Sequence, residues 1–138
     1  MYQVLFLTFL KSFIIISGIA GSDDFACDFI RATDIAQKSS QALICDSANV
    51  VTDPPICEWN FVKCNSCGDV LDINVDSFSL YGSLPSSIGY LNFLISFSAR
   101  KNYLTGNLPT QIGLLSNLIL LDLSSNSFFR FRKHPGKY

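Results

Sequence analysis

The feature of this sequence that most restricts its fold is an internal repeat, in which the same residue types return at every twenty-fourth position. Leucine, glycine, proline, isoleucine and asparagine recur at this offset, in the pairs Leu80 and Leu104, Gly82 and Gly106, Pro85 and Pro109, Ile88 and Ile112, and Asn102 and Asn126. Val70, Ile73 and Val75 occupy corresponding positions in an earlier, less regular unit. A repeat of this length is typical of a solenoid, in which each unit covers the apolar edge of its neighbour. The sequence therefore predicts a stack of short units.

The best preserved unit runs from Leu115 to Phe128 and reads Leu-x-x-Leu-x-x-Leu-Asp-Leu-x-x-Asn-x-Phe. Because side chains alternate along a strand, Leu121 and Leu123 are predicted to point inward, with Asp122 between them facing solvent. Asn126 follows the strand, where its amide can hydrogen-bond the backbone of neighbouring turns.

Between these strands the phrase Leu-x-Gly-x-Leu-Pro occurs at 80–85 and 104–109, followed by Ile-Gly at 88–89 and 112–113. This phrasing resembles plant-type extracellular leucine-rich-repeat proteins, which include receptor-like proteins and polygalacturonase inhibitors. The resemblance covers about residues 57–129. It implies an α/β solenoid with a short parallel sheet on the concave face, 3₁₀ or short helical turns on the convex face, and a minor strand after the Gly. It also implies a disulfide-linked helical cap before the repeats.

The segment 21–67 is expected to be that cap, shielding the open edge of the first repeat. Its stretch from Cys57 to Cys64 resembles the Cys-x-Trp-x-x-x-x-Cys signature of the family's N-terminal cap. The resemblance implies a disulfide between these two cysteines, with Trp59 packing over the end of the stack. We also predict a short helix from Asp34 to Leu43, for which Thr33 is a candidate N-cap.

Residues 1–20 are predicted to be a signal peptide cleaved after Ala20, because apolar runs precede the small residues of Gly18-Ile19-Ala20. Lys11 within the apolar run leaves a retained membrane anchor as the alternative. Export makes the five cysteines candidates for disulfides. Cys27 and Cys45 are the natural second pair, but Cys67 competes, and sequence alone does not rank the pairings.

No catalytic or cofactor site is predicted. The Cys64-x-x-Cys67 spacing lacks the strand-to-helix context of a redox motif, and a zinc site at these cysteines lacks a nearby fourth ligand. The single histidine, His134, lies in the off-pattern tail, and Asp72 and Asp76 are interpreted as solvated carboxylates. Residues 22–129 carry 11 acidic and 5 basic side chains, a net charge of −6, which argues against nucleic-acid binding.

A protein- or peptide-binding face is predicted on the concave sheet, where equivalent residues of successive repeats become lateral neighbours about 4.8 Å apart. Its positions fall in three rows: Asp72, Asn74, Asp76 and Ser77; Ser96, Ser98, Arg100 and Lys101; and Leu120, Asp122, Ser124 and Ser125. The register places Asp76 beside Arg100, with Lys101 diagonally within reach. The alternative interpretation is a solvated sheet face whose charges neutralise one another.

The sequence therefore predicts a secreted or cell-surface binding module with protein or peptide partners, no cofactor and no metal. Its membrane contact is limited to an uncleaved anchor or a span beyond residue 138. The predicted organisation is a signal peptide (1–20), a cap (21–67), about two and a half repeats (68–129) and a basic tail (130–138). Because the tail departs from the repeat pattern, a truncated receptor-like chain is expected, with a structural or adhesive surface protein or a non-functional fragment as alternatives. No Asn-x-Ser or Asn-x-Thr glycosylation sequon occurs, and Asn65-Ser66-Cys67 is a weak variant of it.

Overall fold

The computed structural model describes residues 20–39, 44–45, 51–53 and 55–129, and side chains within 25–39 and 55–129. The predicted signal segment before Ala20 and the tail 130–138 lie outside these residues. Within the described ranges, no helix is both long and apolar enough to cross a membrane.

The cap begins with helix α1 (Ala20–Ala32), followed by the short helix α2 (Ile35–Lys38) and the antiparallel strands β1 (Ile44–Cys45) and β2 (Val51–Asp53). Phe25 and Phe29, one helical turn apart on α1, are both buried, and their rings stack with centroids 5.3 Å apart. The sequence predicted a helix only from Asp34, so α1 is an element that the prediction missed.

Thr33 joins the two helices. Its hydroxyl donates to the Phe29 carbonyl at 2.7 Å and accepts a hydrogen bond from the Ile35 N–H at 3.3 Å. Asp34, the residue before α2, makes no side-chain capping bond to it. Thr33 thus bonds the first turn of α2 from one position before the N-cap residue, Asp34. The predicted helix over Asp34–Leu43 is wrong in its extent, because α2 ends at Lys38 and Ser39 is extended; residues 40–43 lie outside the described residues.

A 3₁₀ turn (Ile56–Glu58) leads into β3 (Val62–Cys64), which pairs antiparallel with β4 (Val70–Asn74), the strand of the first repeat. Strands β5 (Tyr81–Ser83), β6 (Ser96–Ser98), β7 (Tyr103–Thr105) and β8 (Leu120–Asp122) follow, with 3₁₀ turns at Ser86–Tyr90 and Thr110–Leu114. The four-stranded main sheet has the order β3-β4-β6-β8, and the two-stranded minor sheet pairs β5 with β7 in parallel.

The register of the main sheet follows the repeat period. Ile73 pairs with Phe97 and Phe97 with Leu121, so each parallel pair joins equivalent positions of successive repeats. Ile73 and Phe97 are 1% and 0% exposed, whereas Leu121 in the last strand is 38% exposed. These equivalent positions are therefore buried in the first two repeats, whereas Leu121, for which the inward position was predicted, is only partly covered.

The minor sheet differs from the expectation. Strand β7 ends at Thr105, just before Gly106, and β5 is centred on Gly82, so the minor strand does not follow the Gly. Tyr81 pairs with Tyr103, an offset two positions shorter than the repeat period. Gly82 therefore lies opposite Leu104 and not opposite the equivalent Gly106, so the register of the minor sheet is shifted by two residues from that of the main sheet.

Two asparagines tie successive repeats together. The buried side chain of Asn102 donates to the Val75 and Ala99 carbonyls at 2.8 and 2.9 Å and accepts from the Leu80 N–H at 2.9 Å. Asn126 repeats the pattern in the next unit, donating to the Ala99 carbonyl at 2.7 Å and accepting from the Leu104 N–H at 3.0 Å. The expected backbone hydrogen bonding by these asparagines is present.

A disulfide between Cys57 and Cys64 closes a loop within the predicted cap segment, just before the strand of the first repeat. Trp59, inside this loop, is 2% exposed, and its ring lies 5.4 Å from that of Phe61, which in turn makes an edge contact with Phe78. Cys27 is also disulfide-bonded. The side chain of its predicted partner, Cys45, lies outside the described residues.

Candidate binding face

The outward face of the main sheet carries the residues predicted to bind. Asp72 lies opposite Ser96 and Ser96 opposite Leu120, while Asn74, Ser98 and Asp122 form the next row. The expected lateral alignment of these positions is therefore present. We call this surface the strand face.

Asp76 organises the centre of the strand face. One of its carboxylate oxygens accepts hydrogen bonds from the Ser98 hydroxyl at 2.6 Å and from the Arg100 N–H at 2.7 Å. The other lies 3.8 Å from Nε of the Arg100 side chain. The predicted neighbourhood of Asp76 and Arg100 is present, and the backbone contact shows that it also fixes the end of β6.

Ser98 is placed differently from the prediction. It was expected to face solvent, but it is 7% exposed. Its hydroxyl lies beneath the Asp76 carboxylate, because Asp76 reaches across from the first repeat to the second. Ser98 therefore orients the Asp76 carboxylate and is not itself exposed to a ligand.

Lys63 is a residue of this face that the sequence analysis missed. Strand β3 adds to the edge of the sheet and brings Lys63 opposite Asp72, with the ammonium 3.5 Å from the carboxylate. Both side chains reach solvent, so this pair contributes at most about 1 kcal/mol to stability. The Cys-x-Trp signature marked the cap, but its residue types gave no signal that the cap would supply a strand to the same sheet.

The end of the last strand is held by Asp122. Its carboxylate accepts from the Ser124 N–H at 2.9 Å, as the Asn74 amide oxygen accepts from the Asp76 N–H at 3.0 Å in the first repeat. Hydrogen bonds from the Ser124 side chain and backbone, helped by the charge of Arg100, hold the pKa of Asp122 below its ordinary value. Asp122 is therefore ionised at neutral pH.

The remaining positions of the face are exposed. Ser77, Lys101 and Ser125 occupy equivalent places in successive repeats, and all adopt left-handed backbone conformations with φ of 59°, 56° and 57°. Leu120 is 51% exposed and is the apolar position of the face. Lys101 makes no ion pair within the described part of the chain.

Among the described residues, no group of three or more His, Cys, Asp or Glu side chains is placed to hold a metal ion. The two carboxylates interpreted from the sequence as solvated, Asp72 and Asp76, each lie near a cation, Lys63 and Arg100 respectively.

A parallel sheet whose register equals the repeat period, 3₁₀ turns after each repeat's proline, and an asparagine that bonds the preceding repeat define a leucine-rich-repeat fold. The chain resembles the ectodomains of plant leucine-rich-repeat receptor kinases in sequence and in structure, as its repeat pattern predicted.

One curated relative, MDIS1-interacting receptor like kinase 1 of Arabidopsis thaliana, is 43% identical over 72 residues, which cover 52% of this chain and 7% of the relative. No protein-family model matches the chain.

Among solved structures, the Arabidopsis HAESA ectodomain in complex with an N-terminally extended IDA peptide hormone matches with a TM-score of 0.63 and 27% identity, over 82% of this chain and 18% of that chain. The Arabidopsis BIR3–SERK2 complex matches with a TM-score of 0.60 and 25% identity, over 76% of this chain and 57% of that chain. The chain thus spans less than two thirds of the length of each of these proteins.

Proposed function

We propose that the chain is an exported leucine-rich-repeat binding module, and that the strand face is its concave surface and recognises a protein or peptide. The alignment of polar side chains across β4, β6 and β8 carries this proposal. Support comes from the structural neighbours: one HAESA structure contains the peptide hormone IDA and the co-receptor SERK1, at 31% identity over 75% of this chain.

The strand face is suited to recognition because much of it is already ordered. Asp76 is held by Ser98 and Arg100, and Asp122 by Ser124, so these side chains lose little freedom when a partner binds. A polar ligand segment can replace the water on such a surface without leaving buried groups unpaired.

Lys101 is the cation of the face that remains available to a ligand. The charges of Lys63 and Arg100 are offset by Asp72 and Asp76. Lys101 is exposed. Its left-handed backbone conformation recurs at the equivalent positions Ser77 and Ser125, so it is a feature of the repeat. The exposed Leu120 provides an apolar contact in the same surface, so the favoured ligand is a peptide segment with an acidic and an apolar side chain.

A displayed peptide library, panned on the purified oxidised chain, tests the binding proposal. The enriched peptides are expected to lose about tenfold in affinity for Lys101→Glu, a change worth about 1.4 kcal/mol. The double variant Ser86→Glu/Thr110→Glu, which also changes the net charge by −2 but at exposed positions of two 3₁₀ turns, is the matched control and is expected to bind as the wild type does. Failure to enrich any peptide, or an equal loss in both variants, would contradict the assignment of the strand face.

Export is a separate part of the proposal. Full-length chain made in a eukaryotic secretory host is expected in the medium with Gly21 as its first residue, measured by N-terminal sequencing. Recovery of only uncleaved chain inside the cell would show that residues 1–20 do not act as a cleaved signal.

A further inference from the structure

The disulfide pattern determines the chemical state of Cys67, the fifth cysteine of the sequence. Cys57 is joined to Cys64, while Cys67 is exposed and keeps a free thiol. The sequence alone left Cys67 competing for a partner. With its thiol free, Asn65-Ser66-Cys67 has an amide at its first position and an S–H group at its third.

A free S–H group matters because asparagine is a glycan acceptor when the residue two positions later carries a hydroxyl. A thiol has the same position and can also donate and accept a hydrogen bond, although more weakly than a hydroxyl. A disulfide-bonded cysteine has no proton to donate. The observed pairing therefore leaves the sequon chemically complete.

The fold places this sequon at the turn between β3 and β4. The Asn65 amide oxygen accepts from the N–H groups of Cys67 and Asp69 at 2.9 and 3.0 Å, and its nitrogen donates to the Asp69 carboxylate at 2.9 Å. The nitrogen carries two hydrogens, and a sugar replaces one of them. One hydrogen therefore remains on the nitrogen, and the amide oxygen, which a sugar does not modify, keeps its acceptor positions for the Cys67 and Asp69 N–H groups.

The surroundings of the turn leave room for a glycan. A shallow cleft lies between Gly68–Val70 of the turn and the segment Tyr90–Phe93. Tyr90 and Phe93 are 57% and 53% exposed. Asp69, which binds the Asn65 nitrogen, also lines this cleft, and Ser66 and Cys67 are exposed, so the sequon lies at the surface of the molecule.

We propose that Asn65 is an N-glycan acceptor when the chain enters the secretory pathway, an inference that rests on the proposed export. The Asn65 nitrogen attacks the anomeric carbon of an oligosaccharide linked to a lipid through pyrophosphate, and a C–N bond forms as the C–O bond to pyrophosphate breaks. The lipid pyrophosphate leaves with the electron pair, and the amide proton passes to a base of the transferase. Nothing is oxidised or reduced.

The test expresses the full-length chain in a eukaryotic secretory host in two versions. In the first, residues 1–20 are the only export signal; in the second, an unrelated signal peptide of proven function is placed before the chain. The second version separates a failure of glycosylation from a failure of export. Glycopeptides are mapped by mass spectrometry after enzymatic deglycosylation in heavy-oxygen water, which converts a glycosylated Asn65 into labelled Asp.

The wild type is expected to be partly occupied at Asn65. Cys67→Thr is expected to raise the occupancy several-fold, and Cys67→Ala to abolish it, with both variants retaining the hydrogen bonds made by Asn65. Unmodified Asn65 in wild type exported behind the proven leader would overturn the proposal, whether or not Cys67→Thr is modified. Equal occupancy in Cys67→Ala would also overturn it, because the thiol would then have no part.

Discussion

Replacing Asn102 by alanine is expected to destabilise the chain by about 4 kcal/mol, because two buried backbone groups lose their partners at about 1–3 kcal/mol each. These are the Leu80 N–H and the Val75 carbonyl. The Ala99 carbonyl, which also accepts from Asn102, retains the hydrogen bond from Asn126. Since small domains are stable by only about 5–15 kcal/mol, this is a large fraction of the total.

The measurement is urea unfolding of the oxidised chain, followed by circular dichroism. Asn126→Ala removes equivalent bonds where water has access and is expected to cost about 1–2 kcal/mol. Asn107→Ala changes an exposed side chain and is expected to stay within about 0.5 kcal/mol of the wild type. If Asn102→Ala unfolds at the same urea concentration as Asn107→Ala, the reasoning from orphaned backbone groups is refuted.

Three further predictions, one of them with a control substitution, test other contacts. Gly82 has φ of +114°, and a Cβ there would overlap the Ala32 carbonyl, so Gly82→Ala is expected to cost about 4 kcal/mol in urea unfolding. Gly106→Ala has only the positive φ and should cost about 1 kcal/mol, and equal losses would contradict the overlap. The Ser87 hydroxyl is buried without a hydrogen-bond partner among the described residues, so Ser87→Ala is expected to raise the stability by about 1 kcal/mol, and a lower unfolding midpoint would count against this. Because the pKa of Asp122 is lowered in the fold, its carboxylate stabilises at neutral pH and this contribution is lost as the pH falls through the folded-state pKa. Asp122→Asn should therefore lose less stability between about pH 7 and about pH 3 than the wild type, and identical pH profiles would exclude the effect.

The sequence predicted the main sheet well because its period appears directly in the residues. Leucine and asparagine recurring at one offset placed Phe97 between Ile73 and Leu121 and put Asn102 and Asn126 at the ends of strands. The same period predicted the approach of Asp76 to Arg100. Where one unit copies another, a one-dimensional pattern is sufficient to place lateral neighbours.

The sequence did not predict the features that depend on the non-repeating N-terminal segment or on contacts between neighbouring units. Helix α1 was missed because Ala20–Ala32 mixes Gly, Ser and Asp with its buried aromatics, and its apolar face is completed by the repeats it covers. The burial of Ser98 depends on a carboxylate from the preceding unit, which no property of serine encodes. The minor sheet pairs Gly82 with Leu104 and not with Gly106, a shift in register that the 24-residue period of the motifs does not encode.

The antiparallel pairing of β3 with β4 has a consequence for how such a chain lengthens during evolution. A duplicated repeat contributes one strand that runs parallel to β4, β6 and β8 and bonds a neighbour of the same direction. Such a strand fits anywhere downstream of β4, whereas the other edge of β4 is already paired with β3, a strand that does not belong to the repeats. The sheet therefore has a fixed origin, and gene duplication can extend it only away from the cap. Homologous chains of different length should accordingly align from their caps outward.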